Sequence, residues 1–323
     1  MRLTPLLVFL LSTVTLFIAQ NAKVYAACRS KAQLGLQQLK EELASRNLPN
    51  WSSWEAVAES ESYDHIKGFL FADGPGDIPY DLYLSHSQKE EYQANNKKPL
   101  IVLFPGFQGA SWIDHHIAKY FASHGFHMVI SHYRDTENDR NPEKIYEVTK
   151  NNILAGMEII DALSQLQEVD ADNIGLLGYS FGGIRGGFLS LVDERIKAVN
   201  FVVSSGQFAQ TIIDSSLPAI KELREEHKAA LGSPSIEDYH DYLENSLPFE
   251  PYQAICSQDY SHYFLVTARA DTIVPTALQD SFVSNLKGSQ SLSYNLGHIP
   301  SVLWFALRDL KKSEQFFNSI FRG

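Results

Sequence analysis

The sequence predicts an α/β fold in which a mostly parallel central sheet carries helices on both faces. Strand-like and helix-like segments alternate along most of the 323 residues, and this alternation is typical of parallel strands joined by helical crossovers. A long helix over about residues 143–166 has apolar side chains three or four residues apart, which indicates a buried stripe. The stripe consists of Ile153, Met157, Ile160 and Leu163.

The first predicted strands form a hairpin at the edge of the sheet. Residues 68–71 and 81–84 are strand-like and flank the turn-rich segment 73–77, so antiparallel pairing is expected. The next elements are, in order, a strand at 101–104, a helix near 113–123, a strand at 128–131 and the long helix. The alternation continues to the end of the chain, so a single core is expected.

A strand, a tight turn and a helix surround the most informative motif. The strand-like residues 173–177 run into Gly178-Tyr179-Ser180-Phe181-Gly182-Gly183, and a helix rich in small residues follows. A G-x-S-x-G pattern at such a corner forms a nucleophile elbow, in which a strained turn lifts the serine hydroxyl clear of the sheet. The motif predicts that Ser180 is a catalytic nucleophile; the alternative is a structural turn serine.

A serine nucleophile requires a histidine base, which follows it in the chain order Ser, Asp/Glu, His. His227 and His240 lie in charged or polar stretches, which indicate solvated surfaces. His262 precedes a strand and therefore lies at the wrong end for a site built at the carboxyl ends of strands. His298 follows a strand-like segment and is the predicted base.

The carboxylate that orients the histidine is predicted to be Asp271. It lies in the loop at the carboxyl end of the strand that begins near residue 263. An acid from the preceding strand would have to be Asp214, which lies well beyond the end of that strand at Val203. The structural alternative for Asp271 is a helix N-cap just before Pro275.

Two backbone N–H groups are needed to bind the oxyanion that forms during acyl transfer. Phe181, the residue after the nucleophile, is expected to supply one. The glycine-rich loop after the strand at 101–104 is expected to supply the other. Phe107 is the predicted donor there, with Gln108 as the alternative, and an ordinary strand-to-helix loop is the competing interpretation.

These motifs resemble those of the α/β-hydrolases, of the dienelactone hydrolase-like or acetylesterase-like kind. The resemblance covers about residues 67–323 and is strongest at the elbow and in the Asp-x-x-Val-Pro stretch that starts at Asp271. It implies an α/β-hydrolase fold that performs acyl transfer. The chain has Pro105-Gly106 where many relatives have His-Gly, and Tyr179 where histidine is frequent.

The N-terminus predicts a secretory signal peptide over residues 1–26. Arg2 precedes an apolar stretch that reaches Ala19, and small residues precede the predicted cleavage point after Ala26. The expected location is therefore secreted or periplasmic. An uncleaved N-terminal anchor or lipidation at Cys28 would instead associate the protein with a membrane. Cys28 and Cys256 could form a disulfide in an oxidising compartment or remain two free thiols.

The remaining residues divide into an N-terminal extension over 27–66 and a hydrolase domain over 67–323. Within that domain, about residues 207–260 separate two strands, although a bare crossover needs only a dozen or so residues. This segment is predicted to be a helical lid, and ordinary packing on the sheet edge is the alternative.

The formal charge of −11 argues against nucleic-acid binding, and no metal or cofactor is predicted. The adjacent His115 and His116 are interpreted as a solvated pair. The predicted function is a secreted serine hydrolase that cleaves a small-molecule or lipid-like carboxylic ester through an acyl-enzyme. The alternatives are a peptidase or amidase on the same fold, and a non-catalytic binding protein that keeps the scaffold.

Overall fold

A computed structural model describes residues 31–46, 49–71, 77–86, 97–133, 139–255 and 259–322. The predicted signal peptide, Cys28, Cys256 and most of the predicted hairpin turn lie outside these residues. Within these ranges, nine strands form one sheet: β1 (Asn50–Glu59), β2 (Tyr63–Phe71), β3 (Ile78–Ser85), β4 (Lys98–Phe104), β5 (His127–Ser131), β6 (Val169–Tyr179), β7 (Ile196–Val202), β8 (Tyr263–Ala268) and β9 (Gln290–Tyr294).

Helices connect the parallel strands, and further helices precede β1 and follow β9. They are α1 (Gln33–Ala44), α2 (Trp112–Ser123), α3 (Ile145–Leu163), α4 (Phe181–Val192), α5 (Phe208–Asp214), α6 (Pro218–Ala230), α7 (Ile236–Asn245), α8 (Pro251–Ala254), α9 (Thr276–Asn285), α10 (His298–Trp304) and α11 (Leu310–Phe321). A 3-10 turn at Pro142–Lys144 precedes α3, and a π-helical turn at Phe305–Asp309 joins α10 to α11.

The sheet is mostly parallel, which confirms the predicted fold class. The strand order is β1-β2-β3-β5-β4-β6-β7-β8-β9. The six strands from β5 to β9 in this order pair in parallel, whereas β1, β2 and β3 pair antiparallel at one edge. The predicted hairpin is present as β2 and β3, but β1 extends the sheet into residues 27–66, and residue 67 lies inside β2.

Apolar side chains cover both faces of this one sheet, because alternate residues of each central strand point to opposite faces. Along β4, Leu100, Val102 and Phe104 face the core formed with α3 and α4. Ile101 and Leu103 face the core formed with α2 and α11. The central strands are therefore largely apolar on both faces.

The described part of the segment between β7 and β8 contains four helices, α5 to α8. On α6, Ile220, Leu223 and His227 are buried, while Glu222 and Glu225 are exposed. His227 was predicted to lie on a solvated surface, and that prediction is wrong. It lies seven residues after Ile220 and four after Leu223, which is the spacing of one helix face.

Glu250 fixes the start of α5 from a distance. Its side chain is fully buried, and its two carboxyl oxygens accept the backbone N–H groups of Phe208 and Ala209 at 2.5 and 2.8 Å. These N–H groups belong to the first turn of α5 and have no partner inside the helix. Burial raises the pKa of Glu250 to about 8.

The raised pKa of Glu250 makes stability depend on pH. Between the unfolded pKa of about 4.3 and the folded value, the folded protein binds the extra proton, so the contribution of Glu250 to the free energy of unfolding falls as the pH rises. We expect wild type to lose up to about 1.4 kcal/mol per pH unit relative to Glu250→Gln between pH 5 and 8. Urea unfolding of both proteins across this range measures the difference. Parallel pH profiles would contradict the prediction.

Candidate active site

Ser180 occupies the turn between β6 and α4. Its φ of 55° and ψ of −131° lie in a region of backbone conformation where residues other than glycine are rarely found. The backbone N–H of Ser180 donates to Val202 O at 2.9 Å, so the strained residue is tied to the end of the neighbouring strand. The turn forms the elbow that the motif predicts.

The elbow needs glycine because neighbouring groups approach its backbone closely. A Cβ atom at Gly182 would lie 2.1 Å from the carbonyl oxygen of Pro105, and one at Gly183 would lie 2.4 Å from Ser204 Oγ. Both distances are far inside van der Waals contact. The first turn of α4 therefore packs directly on the loop that follows β4.

The structure brings Ser180, Asp271 and His298 together. His298 Nε2 lies 2.8 Å from Ser180 Oγ, and His298 Nδ1 lies 2.6 Å from Asp271 Oδ2. With a proton on Nδ1, the imidazole donates to the carboxylate and accepts from the hydroxyl. All three side chains are buried, so this relay is shielded from water.

Asp271 lies in the loop between β8 and α9, where four donors engage its carboxylate. Oδ1 accepts the backbone N–H groups of Ile273 and Val274 at 2.8 and 3.0 Å. Oδ2 accepts from Gln279 Nε2 at 2.8 Å as well as from His298. The carboxylate is therefore held in one orientation toward the imidazole.

Gln279 is a positioning residue that the sequence analysis missed. It is fully buried, at 0% exposed. Besides Asp271, its amide nitrogen contacts Val274 O at 2.7 Å, and its amide oxygen accepts the N–H of Ala268 at 2.9 Å. It thus joins the end of β8 to the loop that carries Asp271.

The loop that holds Phe107 lies against the elbow. The rings of Phe107 and Phe181 meet edge to face with centroids 5.4 Å apart. Tyr133 OH donates to the carbonyl oxygen of Pro105 in the same loop. The ring of Tyr179 lies 3.0 Å from the position of a Cβ atom at Gly106. These contacts bring the two predicted oxyanion segments side by side.

Tyr179 also links the elbow to α2. Its hydroxyl donates to Asp114 Oδ2 at 2.9 Å, and Ser111 donates to the same oxygen through its backbone N–H at 2.7 Å and its hydroxyl at 2.9 Å. Burial raises the pKa of Asp114. Asp114 and Ser111 also form a capping box at the start of α2, so the helix after the Phe107 loop is fixed to the nucleophile strand.

The other residues considered as the orienting acid or the base, Asp214 and His227, do not reach Ser180. Asp214 is exposed at the end of α5 and accepts from Gln210 Nε2 at 2.7 Å. The two ring nitrogens of His227 contact Tyr239 OH and Asp139 O, each at 2.8 Å. Burial lowers the pKa of His227, which favours its neutral form.

A cavity lies beside the elbow. Its walls come from the two oxyanion segments, from α4 and from the helices between β7 and β8. It has a volume of about 30 Å³, enough for about two water molecules. The lining residues include Phe107, Phe181, Arg185, Phe208, Leu223 and His227. The cavity is apolar apart from a few polar groups, as small-molecule sites usually are.

A cluster of metal-ligand residue types lies on the antiparallel side of the sheet. Donor atoms of His65, Asp81 and His115 lie within 4.8 Å of one another. His65 Nε2 contacts Asp81 Oδ1 at 2.5 Å, and His132 Nε2 contacts Asp81 Oδ2 at 2.7 Å. Both carboxylate oxygens thus bond to imidazole groups. His115 contacts Tyr83 OH at 2.7 Å and is only partly exposed, so its predicted solvated position is wrong.

Within the described ranges, no helix has both the length and the apolar character that a membrane crossing requires.

The chain resembles known proteins in sequence and in fold. The sequence model of the prolyl oligopeptidase family matches residues 112–301, which is more than half of the chain. No curated protein sequence matches the chain.

Solved structures share the fold at low sequence identity. The acetyl xylan esterase 1 from Thermoanaerobacterium sp. JW/SL YS485 is 14% identical with a TM-score of 0.68, and the alignment covers 90% of this chain and 94% of that one. The acetyl xylan esterase from Paenibacillus sp. R4 is 15% identical with a TM-score of 0.67, covering 90% and 95%. An acylaminoacyl peptidase from Pyrococcus horikoshii is 14% identical with a TM-score of 0.58, covering 80% of this chain and 42% of that one.

Replacing Gln279 by Met should lower kcat more than it raises KM. Met keeps the volume but removes the amide donor to Asp271 and leaves Val274 O and Ala268 N–H without their partner. A hydrogen bond to a charged group contributes about 1.5–3 kcal/mol, so we expect kcat to fall by about 10-fold or more. Steady-state kinetics on p-nitrophenyl acetate, with circular dichroism to verify folding, measures this. An unchanged kcat in folded protein would show that Asp271 does not depend on Gln279.

Proposed function

The chain belongs to the prolyl oligopeptidase family of serine hydrolases, and we propose that it cleaves carboxylic esters with Ser180 as nucleophile, His298 as general base and acid, and Asp271 as the orienting carboxylate. The observation that carries this proposal is the continuous relay from Ser180 Oγ through His298 to Asp271, with contacts of 2.8 and 2.6 Å. Each contact is within hydrogen-bonding distance, which this chemistry requires.

In the acylation step, Ser180 Oγ attacks the ester carbonyl carbon while its proton moves to His298 Nε2. The negative charge that develops on the carbonyl oxygen is received by the N–H groups of Phe181 and Phe107. The bond to the alcohol oxygen then breaks, and the proton on His298 passes to the departing alcohol. Asp271 stabilises the imidazolium and remains ionised.

In the deacylation step, a water molecule attacks the acyl-enzyme and gives its proton to His298. The bond between the acyl carbon and Ser180 Oγ breaks, and the proton returns to Oγ. The products are a carboxylic acid and an alcohol, and no cofactor is needed.

Coverage of the structural relatives favours esters over peptides. The chain matches the two acetyl xylan esterases along nearly their whole length, 94% and 95%, but spans 42% of the acylaminoacyl peptidase. The small cavity lined by Phe107 and Phe181, the two proposed oxyanion residues, also suits a short acyl group. The family match to a peptidase family keeps amide cleavage as the second candidate. A non-catalytic protein would have no reason to retain the whole relay.

We further propose that the protein is exported, since its N-terminal sequence has the features of a signal peptide ending at Ala26. Mass spectrometry of the N-terminus of protein isolated from culture medium and from the cell envelope tests this. The measured mass would also distinguish a cleaved protein from one that keeps its N-terminal anchor or is lipidated at Cys28.

Replacing Ser180 by Ala should reduce turnover of p-nitrophenyl acetate to less than a thousandth of wild type, because the remaining groups cannot form an acyl-enzyme. A fluorophosphonate probe should label wild type and not the variant. Retention of more than a tenth of the activity would refute the nucleophile assignment.

In parallel assays, p-nitrophenyl acetate should be cleaved much faster than p-nitroacetanilide, and faster cleavage of the anilide would favour the peptidase alternative.

The helices α5 to α8 are proposed to act as a lid over the acyl group. Leu223 lines the cavity, whereas Ile220, one turn earlier on α6, is buried but is not among the cavity-lining residues. We expect Leu223→Ala to shift the ratio of kcat/KM for octanoyl and acetyl esters by about 10-fold, and Ile220→Ala to lower Tm with little change in this ratio. Equal effects of both variants on Tm, with an unchanged ratio, would show that the segment is core.

A further inference from the structure

A group of three histidines and one aspartate on the antiparallel side of the sheet takes no part in the proposed ester cleavage. Its members are His65 on β2, Asp81 on β3, His115 on α2 and His132 just past the end of β5, and we call them the His–Asp cluster. They come from four separate elements of the chain. Tertiary structure, and not a local sequence motif, therefore brings them together.

Strand pairing places these side chains on one face of the sheet. His65 lies opposite Tyr83, and Asp81 lies two residues before Tyr83 on β3, so His65 and Asp81 share a face. On the other side of β3, the pairing with β5 brings His132 to Asp81. α2 covers this face, and His115 from its first turns contacts Tyr83 OH at 2.7 Å. The cluster thus lies between the edge strands and α2.

Asp81 differs from other buried carboxylates of the chain in its partners. It is 2% exposed, and the one lysine or arginine of the described residues within 4.0 Å is Lys67, whose Nζ lies 3.9 Å from Oδ1 and whose side chain is 55% exposed. The buried Asp161 and Asp193 instead contact Arg195 at 2.6 and 2.5 Å. Buried charges in proteins are paired or coordinate metals. Asp81 is surrounded by imidazoles, which are metal-ligand groups.

Three donor atoms of the cluster are close enough to hold one metal ion. Those of His65, Asp81 and His115 lie within 4.8 Å of one another. Ligands of a tetrahedral zinc ion, with bonds of 2.0–2.2 Å, lie about 3.3 Å apart. His65 Nε2 and Asp81 Oδ1 are 2.5 Å apart, so they must separate by somewhat less than about 1 Å to admit the ion. Small rotations of the two side chains are sufficient for this.

Contacts behind these donors are of the kind that orient metal ligands. His132 Nε2 donates to Asp81 Oδ2 at 2.7 Å, which leaves Oδ1 to face the ion. Tyr83 OH contacts His115 through Nδ1, so Nε2 is the ring nitrogen of His115 left for a metal. The ring of His65 stacks on that of Tyr83 with centroids 4.2 Å apart. Metal-binding histidines and carboxylates are usually held by such outer contacts.

The donor set favours zinc over the common alkaline-earth ions. Imidazole nitrogen suits zinc and its neighbours in the transition series, whereas Mg²⁺ and Ca²⁺ take oxygen ligands. Two histidines, one carboxylate and a water molecule are a frequent set of zinc ligands. His115 is partly exposed, so an ion can enter from solvent and a water molecule can complete its coordination.

We propose that His65 Nε2, Asp81 Oδ1 and His115 Nε2 bind Zn²⁺ and that His132 positions the carboxylate. The ion takes the place of the proton between His65 Nε2 and Asp81 Oδ1, and His65 stays neutral by carrying its proton on Nδ1. Bound zinc ties β2 and β3 to α2, the helix that follows the Phe107 loop. This inference is independent of the proposed esterase function.

The test is isothermal titration calorimetry with zinc chloride on the protein purified without a histidine tag and freed of metal by EDTA. We expect wild type to bind one Zn²⁺ per chain. Loss of an outer contact alone weakens metal binding by about 10–100-fold. His132→Gln should therefore keep the single site and weaken it by about 10-fold. His115→Ala removes a ligand at a partly exposed helix position where alanine is favourable, and should weaken the site by about 100-fold or more.

Two matched controls separate this site from zinc held by surface histidines. His116 is the next residue on α2, exposed, and its ring contacts Ala306 O at 3.1 Å. Asp64 Oδ2 lies 2.9 Å from His86 Nε2, and these form an exposed histidine–aspartate pair on the same hairpin. His116→Ala and Asp64→Asn should both bind Zn²⁺ as wild type does. Circular dichroism of each variant verifies its fold.

Wild type alone gives a second measurement that does not depend on the folding of any variant. Because zinc binds the folded site, added Zn²⁺ should raise Tm, whereas the same concentration of Mg²⁺ should not. Absence of zinc binding by wild type would show that the cluster is a hydrogen-bonded network and would overturn the proposal. Binding that is equal in wild type and folded His115→Ala, or that is lost in His116→Ala, would overturn it as well.

Discussion

The close approach of α4 to the ends of β4 and β6 is the constraint on which the site depends. Gly182 brings the first turn of α4 to within van der Waals contact of Phe104 O and Pro105 O, and the N–H of Ser180 is bonded to Val202 O on β7. The ends of β4, β6 and β7 and the N-terminus of α4 thus meet at the elbow. A side chain at Gly182 would push α4 away, and the hydroxyl and both oxyanion segments would then lose their common frame.

Side chains at the start of the proposed lid also hold the fold together. Phe208, at the start of α5, packs on Phe181 with ring centroids 5.6 Å apart, and Glu250 fixes the N-terminus of the same helix. The first residue of the proposed lid is therefore coupled to the residue after the nucleophile. Since a low dielectric strengthens every charge interaction inside the site, an apolar cover over Ser180 strengthens the relay and also raises the energy of any charge left unpaired.

The sequence predicted the fold class and the three residues of the relay because both follow from local rules. Strand and helix patterns alternate visibly, and Ser180, Asp271 and His298 each follow a strand at its carboxyl end. Gln279 was missed because its role depends on how the Asp271 loop folds back on α9, which no spacing encodes. His227 was misread because its charged neighbours were weighed above the i, i+3, i+7 pattern it forms with Ile220 and Leu223. β1 was missed because its pairing with β2 is a tertiary contact at an edge.

One helix supplies two elements of the proposed chemistry. The turn before α4 carries Ser180, and the first residue of α4 is Phe181, whose N–H is the proposed oxyanion donor. The N-terminus of a helix has a partial positive charge, which favours negative charge on an oxygen atom placed there. Because Ser180 and Phe181 are adjacent and belong to one rigid corner, the nucleophile and this proposed donor keep a fixed separation, and the proposed lid has only to control entry of the substrate.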